Sequence, residues 1–163
     1  MFKVGEVVFC PMRGSGVVEA IEVRTMLGES REYVIIQMKD QNVLMMVPTE
    51  KIHKSGFRRM NTLEEADKVE NILFKKEVDI DYSIDIKKRI KQNQEKLLSG
   101  SFMSCSEVVR DLSCMETIKT LNNMERNILS QAKRLLLDEF SNIKAISTEK
   151  AEKIINKLLE KNI

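Results

Sequence analysis

The chain has 163 residues, enough for one domain of ordinary size or two small ones, and its 27 basic and 25 acidic residues leave a net charge of only +2. This balance excludes strong overall electrostatics, and 42% hydrophobic residues without any Trp predict a globular protein with an aliphatic, Met-rich core. No apolar run approaches the roughly 18 residues that span a bilayer, and the first residues enter a strand-like pattern too soon for a signal peptide. We therefore expect a cytoplasmic protein without a membrane partner.

Short runs of β-branched and aromatic residues in the first third of the chain are typical of strands. The predicted strands cover residues 6–9, 16–23, 33–38 and 43–48. Gly and Asn between them supply the positive φ that tight turns need. The expected turns cover residues 13–16, 27–29 and 40–42. Because Pro11 and Pro48 stand where strands end, the pattern predicts four or five short strands in a small curled sheet or barrel.

In the remainder of the chain the apolar residues follow helical spacing, and the sequence predicts five helices. Thr62, with Glu65 three residues later, forms a capping box for the first helix, which we expect to end near Lys76. The second helix should stop at Leu98, and the fourth covers residues 124–140. The expected starts of the other helices are Ser83 or Asp85 for the second, Ser104 or Ser106 for the third, and Ser147 for the fifth.

The change from strand-like to helical spacing places a domain boundary near residue 60. The predicted fold class is α+β, with a small β domain at residues 1–60 and an all-α domain of about five helices at residues 61–163. No stretch rich in Pro, Gly or Ser separates the two, so we expect no long flexible linker.

Few side chains are available for catalysis or for metal binding. His53 is the only histidine, and Cys10, Cys105 and Cys114 form no CxxC pair. A catalytic triad or a Cys-His pair would depend on His53 alone. The sequence therefore predicts a protein that is not an enzyme and that uses no metal or cofactor, with its cysteines serving as small buried hydrophobic residues.

Charge is concentrated locally, although the total is nearly neutral. Residues 87–96 contain five basic side chains against the single acid Glu95. The basic residues are Lys87, Lys88, Arg89, Lys91 and Lys96. A run of this kind is typical of a solvated helix face, yet phosphate binding also requires only a few cations close together. The residues alone leave both interpretations open.

Both halves of the chain carry motifs of one known family. The motifs of the first half lie at residues 2–14, 18–22, 32–33, 47–48 and 56–58, and those of the second half at residues 91–93, 95–100, 107–112, 125–126 and 132–136. Together they resemble the CarD/CdnL transcription regulators, whose amino-terminal domain is shared with the transcription-repair coupling factor. Helicase motifs are absent and the chain is too short for a motor, so the small regulator is the better match.

The resemblance implies an SH3-like or Tudor-like β domain that docks on the β subunit of RNA polymerase. It also implies that the helical domain contacts the minor groove of promoter DNA at the upstream edge of the transcription bubble, largely independently of sequence. On this interpretation the protein is a monomer that is associated with the nucleoid through polymerase. It would modulate the stability of the open complex by binding that state better than the closed one.

The resemblance assigns two residues to the polymerase side. The family has a polymerase-contacting arginine after the second strand, and that position is Arg24 here. Some members have a second such arginine just before the Val-Pro pair, where this sequence has Met46. The resemblance therefore carries over the position of the second contact but not its charge.

On the DNA side, the family has a tryptophan wedge thirteen residues before the Ser-Gly pair, and that position is Ile86. Isoleucine is a known type of apolar wedge between base steps, but it has no aromatic face. Because Ile86 and Ile90 are four residues apart on one helix face, Ile86 is equally consistent with a core residue. Lys88, Arg89 and Lys91 match the family's basic positions and would neutralise phosphates beside the wedge.

Two other classes of binding protein compete with this interpretation. A protein–protein adaptor would use its helical domain to bind another protein and never DNA. A Tudor-type reader of methylated residues requires an aromatic cage, which Phe9, Tyr33 and Phe57 could hardly build while also serving the core. The adaptor is therefore the main alternative to the transcription regulator.

Overall fold

The computed structural model describes residues 1–40, 42–75 and 79–161. It divides into two compact units, Met1–Met60 and Asn61–Ile163. The first unit holds a five-stranded antiparallel sheet, and the described part of the second holds five α-helices. The predicted α+β class, with a small amino-terminal β domain, is therefore confirmed. None of the described helices is both long enough and apolar enough to cross a membrane.

The first unit is built from five strands and one 3₁₀ turn. They are β1 (Val7–Cys10), β2 (Gly14–Met26), β3 (Glu29–Met38), β4 (Leu44–Pro48), the 3₁₀ turn (Thr49–Lys51) and β5 (Arg58–Arg59). The strands lie in the order β4-β3-β2-β1-β5, so β4 and β5 are the edges. Because alternate residues of a strand point to the same side, one face of the sheet is apolar. Its core cluster includes Val8, Val18, Val34, Ile36 and Met38.

The first reversal does not lie at residues 13–16, where we expected it. The three residues before Gly14 make the turn, with Met12 at a φ of 65°, and β2 begins immediately at Gly14. Gly16 pairs with both neighbouring strands, and a Cβ at this position would lie 2.7 Å from Cγ2 of Ile36. Gly16 is therefore required by the close approach of β3 and not by a turn.

β2 and β3 extend beyond the core as a two-stranded ribbon. Residues 23–32 are all exposed, and Leu27 and Gly28 close the ribbon with φ values of 53° and 82°, which are typical of a type I′ turn. This confirms the turn predicted at residues 27–29. The turn predicted at residues 40–42 includes Gln41, which lies outside the described residues.

The helices of the second unit are α1 (Leu63–Leu73), α2 (Ile86–Leu98), α3 (Phe102–Ile118), α4 (Asn123–Lys144) and α5 (Thr148–Glu160). Each begins after a side chain that accepts a hydrogen bond from a backbone N–H of the first turn. These caps are Thr62, Asp85, Ser101, Asn122 and Ser147. The caps predicted at Thr62, Asp85 and Ser147 are confirmed. α1 ends at Leu73, and its expected end near Lys76 falls outside the described residues.

The prediction that Ser104 or Ser106 caps α3 is wrong. The hydroxyl of Ser101 accepts the N–H of Ser104 at 3.2 Å, whereas Ser106 lies inside the helix and donates its hydroxyl to the carbonyl of Met103 at 2.7 Å. Gly100 follows α2 and has a positive φ of 69°, which turns the chain so that α3 begins two residues later. The two helices are therefore joined by a shorter connection than the sequence indicated.

α3 and α4 form the centre of the helical unit. Val108 and Leu112 of α3 and Leu136 and Phe140 of α4 are completely buried. α1, α2 and α5 pack around this pair. α2 contributes only one side to the packing, and its opposite face is left in solvent.

Replacing Gly16 by Ala should destabilise the protein by about 1–3 kcal/mol, because the added methyl group overlaps Ile36 and the strands must move apart. The free energy of unfolding, measured by chemical denaturation, tests this expectation. Gly28→Asn is the matched control, since a side chain at Gly28 meets nothing within 4 Å and Asn tolerates a positive φ. Equal stability of Gly16→Ala and wild type would show that β2 and β3 do not approach as described.

Candidate functional site

The sheet presents an outer face, defined as the face opposite the core cluster. Val34 and Ile36 of β3 point into the core, so Arg31 and Ile35 of the same strand lie on the outer face. Residues directly opposite each other in a ladder share a face. The outer face therefore includes the ladder partners of Arg31 and Ile35 on both neighbouring strands.

The two predicted polymerase contacts both lie on this outer face. Arg24 is opposite Arg31 on β2, and Met46 is opposite Ile35 on β4. Arg31 and Ile35 are four residues apart, which is about 13 Å along the strand. The structure thus places Arg24 and Met46 on one surface, within the reach of a single protein partner.

Arg24 is exposed and weakly held. Its Nε donates to Oε1 of Glu22 at 2.8 Å, and the arginine side chain is 51% exposed. Ion pairs in such exposed positions contribute little to stability. The guanidinium can therefore exchange Glu22 for an acidic group of a partner at small cost.

β4 is an edge strand, so every second pair of its main-chain groups faces away from β3. The N–H of Met38 donates to the carbonyl of Val43 at 2.9 Å, which fixes the pattern of the ladder between β3 and β4. Main-chain groups alternate in direction along a strand, so those of Met45 and Val47 point towards β3. The N–H and carbonyl groups of Leu44 and Met46 then point away from the sheet and form what we call the β4 edge.

The start of α2 places Ile86 at the surface. Asp85 caps the helix by accepting the N–H of Lys87 at 3.2 Å, and Ile86 is the first helical residue. Ile86 is 47% exposed, whereas Ile90, one turn later, is 8% exposed. Of the two interpretations left open by the sequence, the structure therefore removes that of a core residue for Ile86.

Three of the basic side chains of α2 share its solvent-exposed side. Lys87, Lys88 and Lys91 are exposed, and we call them the α2 basic face. Lys96, in the last turn, is half-buried and its Nζ lies 2.9 Å from Oε2 of Glu107. Lys88 and Lys91, which the sequence predicted as DNA contacts, thus lie on the same side of α2. Lys87 lies on that side as well.

Arg89 has to be removed from this set. It is only 7% exposed, and its Nε donates to Oε1 of Glu125, itself 2% exposed, at 2.8 Å. A second guanidinium nitrogen also donates to Glu125, and the third donates to the carbonyl of Ile84 at 3.4 Å. We therefore correct the expectation that Arg89 neutralises phosphates, because its charge is already neutralised inside the helical unit.

Glu125 was not among the expected site residues, although part of its role is visible in the sequence. Its backbone N–H donates to Oδ1 of Asn122 at 2.9 Å, and its Oε2 accepts the N–H of Asn122 at 3.2 Å, which makes a capping box for α4. Oε1 is the oxygen that faces Arg89. Asn122 and Glu125 predict the capping box, but no local pattern predicts a contact with a residue 36 positions away.

The described side chains do not assemble into a metal centre. No group of three or more His, Cys, Asp and Glu residues is placed to hold a metal ion in residues 1–40, 42–75 and 79–161. His53 is exposed, and burial raises the pKa of the Cys10 thiol, which disfavours a reactive thiolate. The surfaces described above present side chains and main-chain groups that are suited to binding.

Comparison with known proteins identifies the family. The model of the CarD-like/TRCF RID domain matches residues 2–61, and that of the CarD C-terminal domain matches residues 68–156. The chain belongs to the CarD family. The "Putative transcription factor YdeB" of Bacillus subtilis (strain 168) is 35% identical to this CarD-family chain over 150 residues, which are 92% of the chain and 96% of that protein.

One solved structure of the family is also similar to part of the chain. It is the solution NMR structure of the 72-residue N-terminal domain of Myxococcus xanthus CarD, which is 29% identical and covers 36% of this chain and 79% of that one, with a TM-score of 0.31. The resemblance to CarD proteins that the sequence motifs indicated is confirmed by the family matches.

Removing the Arg89 side chain from this CarD-family protein should be severely destabilising. Arg89→Ala leaves a buried carboxylate without its partner, which typically costs about 3–5 kcal/mol. The free energy of unfolding, measured by chemical denaturation, tests this expectation.

Lys88→Ala is the matched control, since it removes an exposed positive charge one residue earlier and should change stability by no more than about 0.5 kcal/mol. If Arg89→Ala and Lys88→Ala had similar effects, the buried pair between α2 and α4 would not exist in solution.

Proposed function

We propose that this protein regulates transcription by holding RNA polymerase with its sheet unit and promoter DNA with its helical unit. The CarD family is one of transcription factors and not of enzymes, and matches to both of its domain models cover nearly the whole chain. That coverage is the observation that carries the proposal. The described surfaces support it because each unit presents a binding surface of suitable chemistry.

The sheet unit docks on the β subunit of RNA polymerase. The match to the CarD-like/TRCF RID domain supports this partner, since that domain interacts with polymerase. The β4 edge supports a mode of docking in which a strand of the partner pairs with Leu44 and Met46. Arg24, on the same face as Met46, adds a charged contact on the outer face of the sheet.

The helical unit contacts DNA at the upstream edge of the bubble. Lys87, Lys88 and Lys91 are exposed side by side, which suits contact with successive phosphates. Ile86 is the first residue of the same helix, and its exposed apolar side chain suits insertion beside a base step. These contacts carry little sequence information, so the binding is largely independent of sequence.

The two contacts together explain how a protein without catalytic chemistry changes the rate of initiation. A ligand shifts an equilibrium only by its difference in affinity for the two states. If the helical unit binds the melted edge better than closed duplex while the sheet unit holds polymerase, the open complex gains that difference in free energy. The regulator is therefore a tether that favours melted DNA at the enzyme.

Docking on polymerase should depend on the outward N–H of Met46. Met46→Pro removes this N–H but leaves the groups that pair with β3, and proline is tolerated at such positions of edge strands. We expect Met46→Pro to lose binding to the isolated β-subunit lobe in a pull-down at micromolar concentrations, whereas Met46→Leu keeps the N–H and retains binding.

Arg24→Glu should also abolish this binding without unfolding the protein, because Arg24 is exposed. Lys54→Glu reverses an exposed charge elsewhere in the same unit and should leave binding unchanged. Unaltered affinity of both Met46→Pro and Arg24→Glu would refute the assignment of this interface.

DNA binding should depend on the α2 basic face. Replacing Lys87, Lys88 and Lys91 by Gln should lower the slope of log affinity against log salt by roughly 0.9 for each phosphate that the variant no longer neutralises. The affinity for DNA should fall by similar factors for unrelated sequences, since phosphate contacts do not read bases. Titrations of labelled DNA at several salt concentrations measure both quantities.

The matched control replaces Lys150, Lys153 and Lys157 by Gln, which removes the same charge from exposed positions of α5. An equal effect of the two triple variants would show that only the total charge matters. If wild type bound polymerase but no DNA at any salt concentration, the protein–protein adaptor would be the better description of the helical unit.

A further inference from the structure

A groove with a volume of about 660 Å³ lies along α2 in the helical unit. It is lined by α2, by α3 and by the segment before α2, and its lining positions along α2 run from Arg89 to Ser99. A helix of this length measures about 15 Å, roughly the length of four or five residues of extended chain. We call this cavity the α2–α3 groove.

Asn93 lines the groove and is almost completely buried. It is 7% exposed, and within the part of the chain that the structure describes its side-chain amide has no hydrogen-bond partner. Buried amides are almost always hydrogen-bonded in native proteins, because an unmatched donor or acceptor costs free energy. The amide of Asn93 therefore faces the groove with hydrogen-bonding capacity that the fold itself does not use.

Other buried polar side chains of the helical unit are bonded within it. The hydroxyl of Ser106 donates to the carbonyl of Met103 at 2.7 Å, and Arg89 binds Glu125. These groups stabilise the fold, whereas Asn93 is available to a ligand in the groove.

The cations that line the groove are already neutralised. Among the described residues these are Arg89 and Lys96. Arg89 is paired with Glu125, and the Nζ of Lys96 lies 2.9 Å from Oε2 of Glu107. Neither positive charge is therefore left to balance a further carboxylate.

The carboxylates that line the groove are mostly not neutralised. They are Asp79, Asp81, Glu95 and Asp111. Asp111 is paired with Nε of Arg110 at 2.8 Å, but the other three have no ion pair within the described residues. The α2–α3 groove is consequently acidic, and it attracts a positively charged ligand.

A turn fixes Asp81 in the wall of the groove. Its Oδ1 accepts the backbone N–H of Ser83 at 2.9 Å and the Ser83 hydroxyl at 2.5 Å. The N–H of Ile84 donates to the carbonyl of Asp81 at 3.4 Å, which closes the turn. Hydrogen bonding from the Ser83 side chain is the main cause of a lowered pKa of Asp81, so this carboxylate is charged at neutral pH.

The chemistry of the groove fits a peptide better than a nucleic acid or a metal ion. A side-chain amide and a peptide group each offer an N–H donor and a carbonyl acceptor, so the two can form a pair of hydrogen bonds. The carboxylates repel phosphates. No three His, Cys, Asp or Glu residues of the described chain are placed to hold a metal ion.

We propose that the α2–α3 groove binds an extended segment of a partner protein that carries Lys or Arg side chains, with the Asn93 amide hydrogen-bonded to its main chain. Successive helical residues are rotated by about 100°, so Lys88 and Lys91 lie roughly 140° and 160° from Asn93 around α2. The groove and the α2 basic face are therefore on different sides of the helix. The inference goes beyond the proposed function, because it adds a protein-binding surface to the helical unit that can be occupied while DNA is bound.

The first test uses the full-length chain and an array of end-blocked five-residue peptides. These carry Lys at the first, third and fifth positions and every combination of other amino acids between them. We expect labelled wild type to bind members of this array and no member of a matched array with Glu in place of Lys. In NMR titrations of the nitrogen-15-labelled protein with a bound peptide, the side-chain NH₂ signals of Asn93 should shift and saturate.

Failure of every Lys peptide to bind would overturn the proposal. Binding that leaves the Asn93 side-chain signals unchanged would also overturn it, because the contact would then lie elsewhere.

Asn93→Leu keeps a similar volume and removes both the donors and the acceptor. Because the amide makes no hydrogen bond within the described fold, this variant should be at least as stable as wild type in chemical denaturation. It should bind the selected peptide about tenfold more weakly, the loss expected for hydrogen bonds in a buried site. A loss of stability with wild-type affinity would show that Asn93 is only structural and would contradict the proposal.

The acidic lining is tested with a matched pair of charge variants. Glu95→Gln should weaken peptide binding about threefold, as expected for one exposed ion pair. Glu152→Gln neutralises an exposed acid of α5 and should leave the affinity unchanged. Equal weakening by the two variants would show that only overall charge attracts the peptide, which would overturn the proposed site.

A second copy of the chain is the alternative occupant of the groove. We expect sedimentation velocity to show monomers for both wild type and Asn93→Leu. Self-association of wild type that Asn93→Leu abolishes would identify a second copy as the occupant and overturn the proposal. These measurements contain neither polymerase nor DNA, so their failure would leave the proposed function standing.

Discussion

The buried ion pair between Arg89 and Glu125 is the contact on which the arrangement of the helical unit depends. One carboxylate oxygen of Glu125 binds the guanidinium, and the other completes the capping box of α4 with Asn122. The guanidinium also binds the carbonyl of Ile84 before α2. Buried ion pairs seldom add net stability over apolar side chains of similar volume, because both charges must be desolvated. The value of this pair is therefore geometric: it fixes the first turns of α2 and α4 and the turn before α2.

In the sheet unit, the core cluster and the two predicted contact residues lie on opposite faces of the sheet. Alternation along β3 directs Val34 and Ile36 into the core and leaves Arg31 and Ile35 on the outer face. Neighbouring strands follow the same alternation, so Arg24 and Met46 reach that face without any contribution to the core cluster. Exposed residues of the outer face, such as Arg24 and Met46, are thus less constrained by packing than the residues of the inner face. Position 46 can therefore change without harm to the fold.

The sequence predicts the local elements well and the long-range contacts poorly. Helical spacing and the capping residues Thr62, Asp85 and Ser147 are local signals, and they indicate all five described helices. Gly14 and Gly16 lead to a wrong prediction for the first turn. The sequence alone does not distinguish a glycine that close strand packing requires from a glycine that a turn requires. The residues of α2 share one run of charge, but only the packed structure shows that Arg89 turns inward to Glu125 while Lys88 stays outside. Resemblance to a family predicts which positions contact a partner. The burial of their side chains in the structure decides which of them a partner can reach.

Pro48 limits what the β4 edge can do. Leu44 and Met46 direct N–H groups outward, but the next outward position is Pro48, which has none. A foreign strand can therefore form only a short ladder, and each of its hydrogen bonds contributes on the order of 1 kcal/mol net. The short ladder limits edge-to-edge aggregation, and it also limits the affinity that this edge alone can give for a partner strand. On the proposed function, occupancy at promoters would rely on avidity, in which a second weak contact through the helical unit raises the effective concentration of the first.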